Sequence, residues 1–229
     1  MYAELHCHSN FSLLDGASHP EELAARAAEL GLPALALTDH DAVYGAPRFL
    51  RAAAEHGIRP VLGAELTLCA DDDPARTFHL TLLAENQAGW HNLCYLISRG
   101  RAGAPKGTAV LPFAELVGCT EGLIALSGCR RGELAAALAG GASREAAAAI
   151  ARRYLHLFGR DHYYVELQRH YLPGEEALIA RLAALAAYLR LECVATNNVH
   201  YARPDGHRLQ DVLVCIGHGV TLDAATGLR

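Results

Sequence analysis

The segment Ala34-Leu-Ala-Leu-Thr-Asp-His-Asp41 is a short apolar run followed at once by side chains that can bind a metal. An apolar run of this length, bounded by turn residues, predicts a buried strand. The segment Glu4-Leu-His-Cys-His8 has a similar organisation near the start of the chain. In an extended segment, alternation directs His6 and His8 to one face, about 6.5 Å apart along the strand, and Cys7 the other way into packing.

The same pattern recurs along the chain. With Tyr2–His6 and Ala34–Thr38, five further runs complete a set of predicted strands: Pro60–Leu68, Phe78–Ala84, Leu123–Ser127, Tyr163–Leu167 and Cys193–Thr196. Helical segments separate most of them. Repeated alternation of strand and helix predicts an α/β protein with parallel strands and right-handed crossovers, in an open sheet or a closed barrel.

The helices are predicted from their end signals. Ser18-His-Pro-Glu21 has the pattern of a capping box, and Gly31 and Gly57 predict helix ends. Ser143 is expected to cap an alanine-rich helix that runs to about Phe158, and a further helix is expected from Gly174 to about Leu191.

Composition excludes several classes of protein. The 229 residues are 52% hydrophobic and 20% charged, which is typical of a globular domain. No apolar run approaches the roughly 18 residues of a membrane span, and no signal peptide precedes the patterned sequence, so we expect a cytoplasmic protein. The 7 cysteines lack C-x-x-C spacing, and the net charge of -5 means that any DNA contact must come from a local site.

Metal-capable residues stand at the ends of nearly all the predicted strands. Each one alone has a structural explanation as a cap, an ion pair or packing, but their joint placement favours a common site, because ligands gather at the carboxyl ends of parallel strands. Imidazole, carboxylate and thiolate together suit zinc, iron or manganese rather than calcium. The strand-end segments are His6–His8, Thr38–Asp41, Gly63–Glu65, His79, Ser127–Cys129, Glu166–Arg169 and Thr196–His200.

The ordered set H-x-H, D-G, T-D-H, G-x-E, H-L, S-G-C and N-x-V-H resembles the PHP family, the polymerase and histidinol phosphatase metallophosphoesterases. The resemblance covers almost the whole chain. Four segments resemble the N-terminal domain of bacterial C-family DNA polymerases, which are the polymerase III α subunit and its error-prone relatives: Phe11–Ala17, Gly122–Cys129, Tyr164–Gln168 and Ala195–Tyr201. Arg208–Leu213 favours the error-prone branch.

The resemblance implies a distorted seven-stranded (β/α)7 barrel over residues 1–204, with a terminal helix and the start of a connection to a missing polymerase body over residues 205–229. It also implies up to three divalent metal ions, with zinc, manganese and iron as candidates. The implied ligands are His6, His8 and Glu65 for the first metal, Glu65, His79 and Cys129 for the second, and Asp15, His40 and His200 for the third.

One ligand position departs from the family pattern. Asn198 stands where the family commonly has an aspartate, and a neutral amide oxygen binds a divalent cation less strongly than a carboxylate does. We expect metal binding to survive this change, with reduced turnover. Asp39 is expected to orient an imidazole, and Arg130 and Arg169 are expected to contact phosphate, whereas Arg131 is expected to be a solvated surface residue.

The resemblance implies a metal-dependent phosphoesterase, with a 3′–5′ exonuclease that proofreads DNA 3′ ends as the first hypothesis. A second hypothesis is a structural module, stabilised by its metals, that docks the polymerase body or other replication or repair subunits. A third is a small-molecule phosphatase similar to histidinol phosphatase. Asn198 favours the second hypothesis, the near-complete ligand set favours the first, and the polymerase-like segments away from the site disfavour the third.

The C-terminal residues are expected to continue into a longer chain. Asp205–Ile216 predicts one last helix, and Val220–Arg229 has no pattern of a closing element, so no polymerase catalytic region is expected here. Such a piece would expose a docking surface, which predicts poor solubility or self-association of the isolated domain.

Overall fold

The structure is a computed structural model that describes residues 2–70, 72–105 and 107–225. Within them lie the strands β1 Ala34–Leu37, β2 Arg59–Cys69, β3 Thr77–Ala84, β4 Leu111–Pro112, β5 Leu123–Leu126, β6 Tyr163–Gln168 and β7 Cys193–Thr196. The α-helices are α1 Pro20–Glu29, α2 Ala46–His56, α3 Gln87–Arg101, α4 Glu133–Ala139, α5 Arg144–Phe158, α6 Glu175–Leu189 and α7 His207–His218. The strand order is β1-β2-β3-β5-β6-β7, with β4 beside β2, so the predicted α/β class with a seven-stranded sheet is confirmed.

The chain divides into two compact units, residues 1–62 with 198–229 and residues 63–197. In the first unit, β1 pairs in parallel with the beginning of β2, from Ala34 opposite Arg59 to Leu37 opposite Leu62. The helices α1 and α2 bury apolar side chains in a core cluster that also contains Cys7, as predicted for that side chain.

The predicted strand Tyr2–His6 is wrong as a regular strand. This segment forms isolated parallel bridges, from Glu4 to Leu35 and from Cys7 to Val199. Side chains take the backbone donors that a continuous ladder would use, because the N–H of His6 donates to Glu4 Oε1 at 2.9 Å and that of Cys7 to Thr38 Oγ1 at 2.9 Å. The segment is nevertheless held beside β1 by backbone bonds such as Ala36 N–H to Glu4 O, at 2.8 Å.

The second unit combines antiparallel and parallel pairs. β3 is antiparallel to both β2 and β5, whereas β6 pairs in parallel with β5 on one side and with β7 on the other. The expectation of an all-parallel sheet is therefore wrong for β3. Only residues 70–76 join β2 to β3, and a parallel connection needs about a dozen residues or more, so this short loop permits only the antiparallel return.

Several helix ends follow the sequence signals and others are displaced. Ser143 caps α5 by accepting the N–H of Ala146 at 3.1 Å, and Gly57 ends α2 with a φ of 67°, both as predicted. The predicted box at 18–21 is displaced by one residue, because Glu22 accepts the N–H of His19 at 2.7 Å.

The predicted last helix is observed as α7, which starts later, after a 3-10 turn at Pro204–Gly206. Part of the predicted trailing segment, residues 226–229, lies outside the described residues. Among the described residues, no helix is both long enough and apolar enough to cross a membrane.

Helix α3 packs against the turn before β5 so closely that a side chain at Gly89 has no room. A Cβ at Gly89 would lie 1.8 Å from the carbonyl oxygen of Gly122, whereas one at Gly100 on the same helix would meet Leu111 at an ordinary 3.5 Å. We expect Gly89→Ala to lower the free energy of unfolding by about 1–3 kcal/mol, because the helix must shift. Gly100→Ala, the matched control, should be neutral or stabilising by up to about 1 kcal/mol. Urea denaturation measures both, and equal stabilities would contradict this packing.

Candidate metal centre

Two imidazoles converge on one carboxylate oxygen in the first unit. Asp15 Oδ2 lies 3.0 Å from His40 Nε2 and 3.1 Å from His200 Nε2. His200 Nδ1 lies 2.7 Å from the carbonyl oxygen of Asn198. A carbonyl oxygen only accepts, so His200 carries a proton on Nδ1, and in the neutral ring Nε2 then has a lone pair. That lone pair faces a carboxylate oxygen, which is favourable only with a proton or a cation between them.

The surroundings of Asp15 favour the ionised form of its carboxyl group. Burial acts to raise the pKa of this carboxyl group, but donation from Nε2 of His200 and His40, which is the alternative to a cation at this place, outweighs burial and holds the pKa well below its ordinary value. The Asp15 side chain is still 28% exposed, so the group is open to solvent or substrate. Asp15 is therefore an ionised carboxylate set between imidazoles, an arrangement that suits a divalent cation.

A serine fixes the orientation of His8. Ser12 Oγ donates its single proton to Asp39 Oδ1 at 2.9 Å, and it lies 3.0 Å from His8 Nδ1. His8 Nδ1 must therefore be the donor to Ser12, which leaves the Nε2 lone pair of His8 directed elsewhere. Asp39 also accepts the backbone N–H of Ser9 at 2.6 Å and its hydroxyl at 2.8 Å. Burial raises the pKa of Asp39 despite these bonds.

The lone pair of His8 faces other possible ligands. His8 Nε2 lies 3.1 Å from His6 Nε2, and the His8 ring stacks on those of His40 and His200, with centroids 4.4 Å and 4.8 Å away. One ligand atom from each of His8, Asp15 and His40 lies within 4.8 Å of the others. The first unit therefore places the imidazoles of His8, His40 and His200 around the Asp15 carboxylate, with His6 beside His8.

The second unit holds a separate ligand group. His79 Nδ1 lies 2.9 Å from Glu65 Oε2 and 3.5 Å from Cys129 Sγ, and all three side chains are buried. Glu65 on β2 pairs with Thr81 on β3, and Thr67 pairs with His79, so Glu65 and His79 are diagonal neighbours on one face. A carboxylate, an imidazole and a thiol in contact form a typical ligand set for zinc.

A glycine brings Cys129 to His79. Gly128 has a φ of 88°, and a Cβ there would lie 2.4 Å from the carbonyl oxygen of His79. The turn after β5 therefore requires glycine and lies against the start of β3, where the N–H of His79 donates to the carbonyl oxygen of Arg131 at 3.0 Å. Burial, reinforced by the charge of Glu65, raises the pKa of the Cys129 thiol well above its ordinary value. A cation bound there would reverse this effect, because a coordinated thiol is deprotonated.

The other predicted site residues are placed as follows. Asn198 has a φ of 47°, and its Oδ1 is buried without a hydrogen-bond partner in the part of the chain that the structure describes. An unpartnered amide oxygen at this position fits a metal ligand.

The three arginines considered in the sequence analysis lie on the surface. Arg130 and Arg131 are exposed after β5, and Arg169 pairs with Glu176 at 2.6 Å.

Two of the three predicted ligand sets are each brought together within one unit: Asp15 with His40 and His200, and Glu65 with His79 and Cys129. The predicted sharing of Glu65 with His6 and His8 joins residues of both units and stays a prediction. Sequence reasoning missed Ser9 and Ser12, because a buried serine has no spacing signal that distinguishes it from an ordinary turn residue. The orienting role of Asp39 stays a prediction, and the hydrogen bonds connect its carboxylate through Ser12 to His8 rather than to its neighbour His40.

The fold and these groups define an α/β protein whose imidazole, carboxylate and thiol ligands suit divalent metal ions. The PHP domain family model matches residues 4–170, and the chain belongs to this family.

Similar sequences occur in bacterial polymerases. The chain is 44% identical over 232 residues to an error-prone DNA polymerase of Symbiobacterium thermophilum, covering 94% of this chain and 21% of that protein. It is 39% identical over 227 residues to a DNA polymerase III subunit alpha of Treponema pallidum, covering 94% of this chain and 19% of that protein. The chain therefore spans about a fifth of the length of these curated relatives.

Solved structures share the fold at low sequence identity. An amidohydrolase from Chromobacterium violaceum with bound sulfate and no metal is similar with a TM-score of 0.63 and 19% identity, covering 88% of each chain. A two-domain protein from Bacteroides vulgatus, containing a predicted PHP-like metal-dependent phosphoesterase, is similar with a TM-score of 0.53 and 15% identity. That match covers 87% of this chain and 52% of the other.

Ser12→Ala tests whether the Asp39–Ser12–His8 chain of hydrogen bonds orients a metal ligand. Removal of the hydroxyl leaves His8 Nδ1 without this partner, and we expect zinc affinity in the first unit to fall about ten- to a hundred-fold. Isothermal titration calorimetry measures the affinity. Ser98→Ala is the control, because Ser98 on α3 donates only to its own helix, at Cys94 O. Equal losses in the two variants would contradict the orienting role.

Cys129→Ala tests the second ligand group. Because the raised pKa keeps the Cys129 thiol protonated, zinc binding there must release its proton, so affinity should increase with pH. Calorimetry in buffers of different ionisation enthalpy counts the released protons. We expect Cys129→Ala to lower both the number of released protons and the affinity, and Cys94→Ala, at a partly exposed residue of α3, to change neither. An unchanged proton count in Cys129→Ala would exclude the thiol as a ligand.

Proposed function

We propose that the chain is the PHP domain of a bacterial DNA polymerase of the polymerase III α or error-prone type. In this proposal it is a metal-dependent phosphoesterase that acts as a 3′–5′ exonuclease on DNA ends. The observation that carries the proposal is the convergence of His40 Nε2 and His200 Nε2 on Asp15 Oδ2, at 3.0 and 3.1 Å, because this arrangement is stabilised by a cation. The similarity to polymerases over 94% of the chain supports DNA as the substrate.

We propose that the ligands are His6, His8, Asp15, His40, Glu65, His79, Cys129, Asn198 and His200, with zinc, manganese or iron as the metal. Divalent cations held in either unit would lower the pKa of a coordinated water and polarise the phosphoryl oxygens. Ser12 keeps the Nε2 lone pair of His8 available, and the Asn198 carbonyl does the same for His200. Arg130 and Arg169 are the candidates for phosphate contacts.

A second candidate function is a metal-stabilised structural module with little or no hydrolysis. Asn198 favours it, because a neutral amide stands where the family commonly has a carboxylate. A third candidate, a small-molecule phosphatase, is disfavoured by the 39–44% identity to polymerases that extends over nearly the whole chain.

A docking role is compatible with either of the first two functions. Leu209, Val212 and Ile216 follow one face of α7 at helical spacing, and they are 51%, 38% and 60% exposed. We propose that this face packs against the remainder of a polymerase chain. We also propose that the protein acts in the cytoplasm, with replication and repair subunits as further partners.

The decisive experiment combines metal analysis with hydrolysis of a 3′-labelled oligonucleotide in Mn²⁺ or Zn²⁺. We expect the wild type to contain metal and to hydrolyse the oligonucleotide, and His8→Ala to contain less metal and to lose hydrolysis. Asn198→Asp restores a charged ligand and tolerates the φ of 47°. It should raise metal affinity and the hydrolysis rate about ten-fold.

His91→Ala, at an exposed histidine of α3, is the matched control and should behave as the wild type. Bound metal without hydrolysis in the wild type, with hydrolysis gained in Asn198→Asp, would support the structural module instead. A protein that binds no metal would contradict both functions.

A further inference from the structure

The loop between β6 and α6 presents an aromatic side chain to solvent. Tyr171 is 83% exposed, more than the other exposed aromatic residues of the described chain. The guanidinium of Arg169 lies 4.9 Å from the centroid of its ring. The same guanidinium pairs with Glu176 at 2.6 Å, which limits its movement. The loop therefore combines a large exposed π surface with a cation beside it.

Hydrogen bonds to the buried Glu175 carboxylate and to the backbone of Asn197 hold the loop in place. The buried carboxylate of Glu175 accepts the backbone N–H groups of His170, at 2.6 Å, and of Leu172, at 3.3 Å. The His170 ring lies 3.2 Å from Glu175 Oε1 and 2.8 Å from the carbonyl oxygen of Asn197. Between these anchors Tyr171 has a φ of 60°, which a non-glycine residue keeps only when its surroundings impose it. The fold thus maintains an unfavourable backbone conformation that holds Tyr171 in solvent.

The loop shares an edge of the second unit with the ligand group of Glu65, His79 and Cys129. β5 and β6 are parallel neighbours, so the residues that follow them lie at the same edge, Cys129 after β5 and Arg169 after β6. Leu126, the last residue of β5, is opposite Tyr164, and β6 continues to Gln168 before the segment with Arg169 and Tyr171 begins. The exposed ring and the ligand group therefore follow neighbouring strands at one edge, an arrangement that suits an extended ligand such as a single-stranded nucleic acid.

We propose that Tyr171 and Arg169 form a subsite on which an unpaired base of single-stranded DNA stacks, upstream of the phosphate that reaches the ligand group. An exposed tyrosine ring offers every base a face for stacking, and the adjacent guanidinium contributes a second planar surface and a positive charge. This inference rests on the proposed function, because it adds a binding contact for the same DNA substrate.

The test is the binding of a fluorescent single-stranded oligothymidylate of about ten nucleotides to the metal-loaded protein, followed by anisotropy, with phosphorothioate linkages that resist hydrolysis. We expect Tyr171→Ala to weaken binding about five- to a hundred-fold, and Tyr171→Phe to bind as the wild type does, because stacking needs only the ring. Tyr188→Ala is the matched control, since Tyr188 is also exposed, with Arg144 4.6 Å from its ring, but lies on α6 away from the strand ends.

An oligonucleotide of abasic residues separates stacking from charge. It should bind the wild type as weakly as oligothymidylate binds Tyr171→Ala, with no further loss in that variant. Wild-type affinity in Tyr171→Ala, equal wild-type affinity for both oligonucleotides, or no binding by the wild type would each overturn the subsite. The first of these results would also be expected if Tyr171 were an anchor for a protein partner.

Hydrolysis in Mn²⁺ is measured separately on the same proteins. Absence of hydrolysis with the Tyr171 effect on binding intact would contradict the phosphoesterase and leave the subsite standing. Hydrolysis in the wild type without any Tyr171 effect would contradict the subsite alone.

Discussion

The contact on which the site depends is that between the Asp15 carboxylate and the imidazoles of His40 and His200. The backbone carbonyl of Asn198 takes the Nδ1 proton of His200, so a neutral His200 must present a lone pair to a carboxylate oxygen at 3.1 Å. Ser12 imposes the same protonation on His8, since its own proton goes to Asp39. When the Nδ1 proton of an imidazole is held by another group, its Nε2 lone pair faces the lone pairs of neighbouring ligand atoms. A cation between these atoms removes the repulsion. The arrangement is therefore better suited to a metal than to an empty cluster.

The surrounding fold explains why these side chains keep their positions. The segment with His6 and His8 is attached to β1 and to Val199 by backbone bonds, while side chains of Glu4 and Thr38 satisfy its remaining donors. Ligands positioned by a backbone that is bonded on both sides lose little conformational entropy when a metal binds. In the second unit, the turn that requires glycine at position 128 likewise fixes the position of Cys129 before a metal binds.

Much of the fold could be predicted from the sequence, because apolar runs bounded by turn residues locate strands by local information. Cys193–Thr196 was predicted with its observed bounds, and most other strands within a residue or two. The direction of β3 and the pairing of Leu111–Pro112 with β2 depend on tertiary contacts that a periodic pattern does not contain. The prediction of a regular strand at Tyr2–His6 is wrong because side chains accept hydrogen bonds from its backbone N–H groups. The local sequence pattern contains no sign of this competition.

The candidate site was predictable to the extent that its ligands are of unusual residue types. Histidines and carboxylates at successive strand ends are recognisable, and the resemblance to the PHP family ordered them into sets. Ser12 and the buried, unpartnered Oδ1 of Asn198 emerged only from three-dimensional positions. Residues that act by orienting a ligand have common types and no fixed spacing, so their roles become visible only when hydrogen bonds can be counted.

Anomalous diffraction from crystals of this chain grown with Zn²⁺ or Mn²⁺ would locate bound metals directly. We expect metal peaks bonded to Asp15, His40 and His200 in the first unit and to Glu65, His79 and Cys129 in the second. The imidazole nitrogens should lie about 2.0–2.1 Å from zinc. Maps without a peak at either group, with the Asp15 carboxylate still hydrogen-bonded directly to protonated imidazoles, would contradict this expectation.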